Sequence, residues 1–207
     1  MKIEVEKDEQ YIYTETEYSN EFVKGARKLS GKWTGRRWKF DIRHEDRVRE
    51  LLINVYGKDE SDAEVECVTV KLDLYGYLEE INRNPKDIEM FGRVLACRLN
   101  RDSDVKLHNT VIISKGEFYS SGGSRNYPSL SPHEDLELEI LDVPKSLYLK
   151  ALNDEDIAPY ISLVDGHEKQ RQILLDEKES LLSRIKEIDK LLEEMQYIDN
   201  PKNKQGC

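Results

Sequence analysis

Two tryptophans lie among cationic side chains between residues 24 and 39. No Asp or Glu occurs between Glu21 and Asp41, although the whole chain carries a formal net charge of −10. Cations neutralise phosphates and aromatic rings stack on bases, so this composition is typical of a nucleic-acid-binding surface. Contact with an acidic protein partner, or a solvated helix and strand edge, would also account for it. The candidate binding residues are Lys24, Arg27, Lys28, Lys32, Arg36, Arg37 and Lys39.

Both tryptophans belong to the stretch GKWTGRRWKF, residues 31–40. A glycine at position 35 favours a two-residue hairpin loop at positions 35 and 36, which places Trp33 directly opposite Trp38. Side chains alternate along a strand, so both rings share a face with Phe40 and the cations take the other face. We therefore predict that both tryptophans are core residues, and that only the cations remain available to a partner.

A second candidate site is the loop of residues 118–132, FYSSGGSRNYPSLSP, which contains two glycines, two prolines and several serines. This composition predicts a segment that is mobile or becomes ordered around a ligand. Arg125 and Tyr127, with the nearby serines, are candidate donors to a small anionic ligand. The alternative is a flexible hairpin-like loop or one that binds a protein partner.

The sequence contains no catalytic signature. The four histidines are isolated, the three cysteines lack metal-binding spacing, and no motif of a nucleophile elbow, zinc protease or phosphate loop occurs. We therefore expect no enzymatic activity, no metal and no cofactor.

The elements that would position these residues indicate an α+β fold, beginning with a ββαββα module over residues 1–57. Ser19 is a predicted N-cap of the first helix, and Gly31 is the predicted left-handed residue after its end. Apolar residues at helical spacing predict a second helix after Asp41, ending at Gly57.

Residues 64–152 alternate with period two and predict an antiparallel β-sheet domain of about five strands. It includes a hairpin around Lys115 and Gly116, and a strand in which Val68, Val70 and residues 72 and 74 share a face. A short helix is predicted to begin at Pro144 and end near residue 152.

Residues 165–197 predict a coiled-coil helix, because Leu174, Leu181, Ile188 and Met195 repeat every seven residues. Such an apolar stripe must be covered. We expect a homodimer through this helix, with packing on the chain's own sheet domain as the alternative.

Few, widely spaced cysteines suit a reducing compartment, and the charged N-terminus does not have the pattern of a signal peptide. No apolar run approaches the length of a membrane span. We therefore expect a cytoplasmic protein with no membrane partner.

The N-terminal pattern resembles a short module of small plasmid- and phage-borne proteins and, more distantly, the HARP domain of annealing helicases. The first family implies an accessory or anti-defence role, such as inhibition of CRISPR or restriction systems. The second implies binding of structured DNA through the basic face. The resemblance covers about the first 57 residues and is carried by Tyr18, Phe22, Ala26-Arg27, Leu29, Gly31-Lys32-Trp33, Trp38-Lys39-Phe40, Val48-Arg49, Leu51 and Tyr56-Gly57.

These observations together favour a non-enzymatic binding protein of a mobile genetic element. As a coiled-coil dimer it would inhibit a host defence complex, a protein or ribonucleoprotein, by occupancy. One alternative is an accessory protein that binds nucleic acid through the basic face of residues 24–39. Another is a protein that sequesters a small nucleotide in the loop domain.

Overall fold

The computed structural model describes residues 3–60, 64–81, 83–164, 178, 181–185 and 188. The chain divides into two compact units, Met1–Val164 and Asp165–Cys207. The first unit combines helices with antiparallel sheets, and its described residues form two hydrophobic clusters. The prediction of a mixed α and β chain with antiparallel sheets is confirmed.

The first cluster lies between a four-stranded antiparallel sheet and two helices. The sheet has the order β1-β2-β4-β3, so β1 and β3 are its edges. The predicted ββαββα order is confirmed, with a 3-10 turn, Ile42–His44, before the second helix. The elements are β1 (Ile3–Lys7), β2 (Tyr11–Thr16), α1 (Asn20–Lys28), β3 (Lys32–Trp33), β4 (Trp38–Asp41) and α2 (Glu45–Tyr56).

Local signals fix the helix ends. The Ser19 hydroxyl accepts a hydrogen bond from the Phe22 amide and caps α1 as predicted, and Gly57 ends α2 with a φ of +75°. The prediction for Gly31 is wrong, because Ser30 is the left-handed residue, with a φ of +61°. Glycine is needed at position 31 for another reason, since a Cβ there would collide with the Phe40 ring.

The second cluster is enclosed by two sheets and two helices. One sheet has the order β11-β5-β10-β9 and the other β6-β7-β8, so the expectation of a single sheet of about five strands is wrong. The helix predicted from Pro144 is confirmed. The elements are β5 (Cys67–Asp73), α3 (Leu74–Glu80), β6 (Asp87–Met90), β7 (Arg93–Cys97), β8 (Lys106–Leu107), β9 (Val111–Lys115), β10 (Glu137–Pro144), α4 (Lys145–Ala151) and β11 (Ile161–Leu163).

Two local predictions in this part fail, one because of a strand partner distant in sequence and the other because of a helix cap. Gly116 has the expected positive φ, but β9 pairs with β10 rather than with the residues that follow the glycine. The strand expected to continue through residue 74 ends at Asp73. The Asp73 carboxylate accepts a hydrogen bond from the Gly76 amide and begins α3 there.

The coiled-coil prediction for residues 165–197 lies outside the described residues except at 178, 181–185 and 188, which are helical. Apolar side chains in this part are about half exposed: Leu181, Leu182, Ile185 and Ile188. Among all the helices that the structure describes, none combines the length and apolar character that crossing a membrane requires.

Candidate functional site

The hairpin of β3 and β4 has the predicted geometry. Trp33 pairs with Trp38 across the two strands, and the Thr34 amide donates to the Arg37 carbonyl at 2.9 Å. The turn residue Gly35 has a φ of +96°, which an L-residue would adopt only with strain. Trp38 is buried, with its ring centroid 6.4 Å from that of Phe22 on α1.

Trp33 does not lie in the core, which corrects the prediction for both tryptophans. It is 54% exposed, while Trp38 is 8% exposed. The two ring centroids are 5.7 Å apart, so both rings lie on the helix-covered face of the sheet. The difference arises because β3 is a two-residue edge strand, and the helices cover the central strands.

Two of the hairpin arginines pair with acids on the neighbouring strands. Arg36 Nε lies 2.9 Å from Glu15 Oε2, and an Arg37 guanidinium nitrogen lies 2.5 Å from Glu6 Oε2. With Glu4, these four residues line a groove of about 280 Å³. Three carboxylates and two guanidiniums therefore lie together on the face of the sheet opposite the helices, and the carboxylates outnumber the arginines by one.

The third hairpin cation contacts aromatic rings. Lys39 Nζ lies 3.4 Å from the centroid of the Tyr11 ring and 5.9 Å from that of Tyr13. Arg37 also stands over Tyr13, at 4.4 Å. Cations held over aromatic faces gain about 0.5–2 kcal/mol there and are less available to a partner.

The remaining predicted cations of α1 and of the hairpin have no ion-pair partner among the described residues. Lys24, Arg27 and Lys28 are exposed on α1 and Lys32 on β3. None of them makes an ion pair with another residue in the described part of the chain. Trp33 is on the side of the sheet that carries α1, whereas Lys32, whose register partner is Lys39, is on the opposite side. We name these four cations together with Trp33 the basic ridge.

Arg125 and Tyr127 lie elsewhere, on a segment that packs against the second cluster. The Ser124 amide donates to the Tyr127 carbonyl and the Tyr127 amide to the Ser124 carbonyl, so residues 124–127 form a tight tip. Arg125 is exposed at this tip, and Tyr127 is 80% exposed. The sequence-predicted residues therefore lie in separate places: three of the unpaired cations are on α1 and Lys32 is beside Trp33 in the chain on β3, while Arg125 and Tyr127 are at this tip.

The segment that carries this tip is an irregular hairpin, which we name the 118–132 hairpin. Phe118 bridges Pro132, and Gly123 bridges Pro128. The Ser129 amide donates to the Gly122 carbonyl at 3.1 Å. These internal bonds give the segment the form of a hairpin, and the expectation that it is mobile or ordered around a ligand stays a prediction.

Arg98, which sequence reasoning passed over as part of a strand, anchors the base of this hairpin. Its side chain is 1% exposed and donates to the carbonyls of Tyr119, Ser120 and Leu130, and to those of Arg101 and Ser103. In the sequence, the only signal is an arginine directly after a strand-like pattern. All five acceptors are backbone carbonyls, which any residue type supplies.

A second buried arginine, Arg93, lies where the two clusters meet. It donates to the carbonyls of Leu141 and Asp142, and burial lowers the pKa of its guanidinium. Nearby, His108 Nε2 lies 3.2 Å from a carboxylate oxygen of Glu17. These contacts serve the packing of the unit and form no cleft.

Within the described part of the chain, no three His, Cys, Asp or Glu side chains form a group that could hold a metal ion. Comparison of the chain with protein-family models, curated proteins and solved structures gave no match. The functional argument therefore depends on the geometry of the basic ridge and of the 118–132 hairpin.

Proposed function

We propose that this protein is a binding protein that engages single-stranded nucleic acid through the basic ridge. The observation that carries the proposal is the exposure of Trp33 in a segment, residues 24–33, whose four cations make no ion pair among the described residues. A half-exposed indole provides a stacking platform for a base, and the cations neutralise adjacent phosphates.

The charge distribution favours the basic ridge over the other hairpin cations as the contact with phosphates. Arg36, Arg37 and Lys39 have carboxylate or aromatic partners, so a phosphate would have to compete with those contacts. Arg27 and Lys28 in the last turn of α1 also complement the helix dipole. That role does not account for the exposure of Trp33.

The test is the salt dependence of binding to a labelled single-stranded oligonucleotide of mixed sequence. Four neutralised phosphates predict that log K falls with log salt concentration with a slope of roughly −3. Trp33→Ala should weaken binding by about tenfold with little change in slope, because stacking carries no charge. Lys32→Ala should reduce the slope by about 0.7.

Arg36→Ala is the matched control, because it removes an exposed cation from the same hairpin that is already paired with Glu15. We expect it to bind as the wild type does. Binding that is independent of salt, or equal affinities for the wild type, Trp33→Ala and Lys32→Ala, would contradict the proposal.

A second candidate function is bivalent binding as a homodimer. Leu181, Ile185 and Ile188 have heptad-compatible spacing and are 58%, 52% and 43% exposed, which supports coverage by a second copy. Sedimentation equilibrium should give a dimer for the full chain and a monomer for Leu181→Asp/Ile185→Asp. Ser183→Asp, an exposed helical position outside the heptad positions, is the control.

Inhibition of a host defence complex by occupancy, implied by the family resemblance, stays a prediction. The ridge would be the contact surface for a ribonucleoprotein target as it is for free nucleic acid. Capture of a host complex that is lost with Trp33→Ala and insensitive to nuclease would support a direct protein contact.

A further inference from the structure

A cleft of about 420 Å³ opens between α3 and the base of the 118–132 hairpin. This volume is within the range of small-ligand sites in proteins. Its lining combines two guanidiniums with two phenol rings and several hydrogen-bonding groups. The residues that carry the argument are Tyr75, Arg83, Asn84, Arg101, Tyr119 and Ser121.

We infer that this cleft binds a small phosphorylated ligand with a planar ring, of the size of a nucleoside monophosphate. The site is separate from the basic ridge and does not depend on it. The inference follows from the charge of the lining, the orientation of one backbone amide, and the two rings.

The two arginines of the lining are accessible to an anion. Arg83 is exposed and makes no ion pair within the described residues. Arg101 lies 3.5 Å from Asp102, but both side chains are more than half exposed, and such a pair contributes little in water. Among the described residues that line the cleft, Glu79 is the only acidic one, so this lining has a net positive charge.

Buried Arg98 adds a fixed positive charge beneath these residues. It donates to backbone carbonyls and, within the described residues, to no carboxylate. Two of its acceptors, the carbonyls of Arg101 and Tyr119, belong to residues that line the cleft. A charge buried in a medium of low dielectric acts over a longer distance than one in water, so it favours an anion in the cleft.

The same anchor orients a donor of the lining. The Ser120 carbonyl points at Arg98, and in a trans peptide the following N–H points the opposite way. The amide of Ser121, which lines the cleft, therefore points away from Arg98 and finds no acceptor among the described residues. Backbone amides of this kind are donors to phosphate oxygens.

Two tyrosines provide surfaces for a planar ring. The Tyr119 ring is fixed against His133, with ring centroids 3.9 Å apart and an angle of 26° between the planes. Tyr75 lines the other wall from α3. The charge of Glu79 raises the pKa of Tyr75, so its hydroxyl remains a neutral donor. Stacking on such rings contributes to binding with little selectivity among bases.

Asn84 joins the two walls, so the cleft is formed before a ligand arrives. Its side chain accepts from the Ser131 amide at 3.0 Å and donates to the Ser131 hydroxyl at 3.3 Å. A preformed site avoids the entropic cost of ordering a loop around the ligand.

The experiment is calorimetric titration of the full chain with AMP, GMP, CMP and UMP, and separately with adenosine and inorganic phosphate. We expect at least one monophosphate to bind in the micromolar range, more tightly than either adenosine or phosphate. Arg83→Ala and Arg101→Ala should each weaken that binding about tenfold, as expected for loss of a charged hydrogen bond.

Arg125→Ala is the matched control, since this arginine belongs to the same hairpin but lies at its tip, outside the lining. It should bind as the wild type does, and so should the ridge variant Lys32→Ala. Circular dichroism verifies that the arginine variants are folded, and Arg101→Lys should retain part of the affinity. Absence of binding by all four monophosphates, or unchanged affinity in both Arg83→Ala and Arg101→Ala, overturns the inference. Phosphate binding as tightly as the monophosphates overturns its assignment of a ring site.

Discussion

Trp33 and Trp38 lie opposite each other in one hairpin with ring centroids 5.7 Å apart, yet one is half exposed and the other is buried. The buried ring contacts Phe22 and Phe40. The exposed ring extends beyond the cover of α1. One cross-strand pair therefore combines a core contact with a surface available to a ligand.

This relationship predicts different effects for two similar substitutions. Trp38→Ala should destabilise the fold by about 3–5 kcal/mol, because it removes a large buried ring and leaves a cavity. Trp33→Ala should cost about 1 kcal/mol, since it loses mainly an aromatic pair. Urea unfolding measures both, and equal losses would contradict the assignment of Trp33 to the surface.

Releasing the paired arginines should strengthen binding to polyanions. In the double variant Glu6→Gln/Glu15→Gln, Arg36 and Arg37 lose their carboxylate partners. We expect higher affinity for single-stranded DNA and a steeper salt dependence than in the wild type. The control is Glu9→Gln/Glu50→Gln, which changes the net charge equally at two exposed positions away from the groove. An equal gain in the control would mean that only the net charge matters.

Replacement of Arg98 should loosen the 118–132 hairpin. Arg98→Lys cannot reach all five carbonyls, and burial of unsatisfied groups should cost about 2 kcal/mol or more. Hydrogen exchange should accelerate at the Ser129 amide, which closes the hairpin by donating to the Gly122 carbonyl, and at the Gly122 amide, which ties the hairpin to the Arg101 carbonyl. Arg125→Ala at the tip should leave both rates unchanged. Wild-type exchange in Arg98→Lys would show that the anchor is dispensable.

Glu45 should make stability depend on acid pH. Hydrogen bonds from Lys7 and Arg49 lower the pKa of its carboxylate below the ordinary 4.5. The stabilisation of the fold by ionised Glu45 is therefore fully present above about pH 4.5. It is lost as the pH falls through the lower pKa of the folded state. Thermal unfolding of Glu45→Gln should show a smaller loss on acidification than the wild type. Glu50→Gln, on the same helix, should follow the wild-type profile.

The N-terminal layer was predictable because its signals are local. The Ser19 cap, the Gly57 stop and the loop at Gly35 each act within a few residues, and all three are present as expected. Exposure of Trp33 was not predictable, because it depends on β3 becoming the edge of the sheet. The ion-pair partners of Arg36 and Arg37 lie 21 and 31 residues away, on strands whose pairing the alternation pattern does not specify.

The second cluster shows the same limit more strongly. Pairing of β9 with β10 spans the 118–132 hairpin, and no period in the sequence indicates it. The anchor of that hairpin is the buried guanidinium of Arg98, which donates to backbone carbonyls. Because every residue has a carbonyl, the sequence does not show which ones accept. In the sequence, Arg125 and Tyr127 are the clearest candidate donors of the segment. The cleft is lined instead by residues near the base of the hairpin.

The anchoring of the 118–132 hairpin by Arg98 has a practical consequence for protein engineering. Because the base is held by buried contacts and the tip at 124–127 is exposed, insertions between Arg125 and Asn126 should leave the fold intact. A fluorophore or peptide tag at that position would stand beside the cleft without filling it. The hairpin thus offers a natural attachment point for a reporter of ligand occupancy.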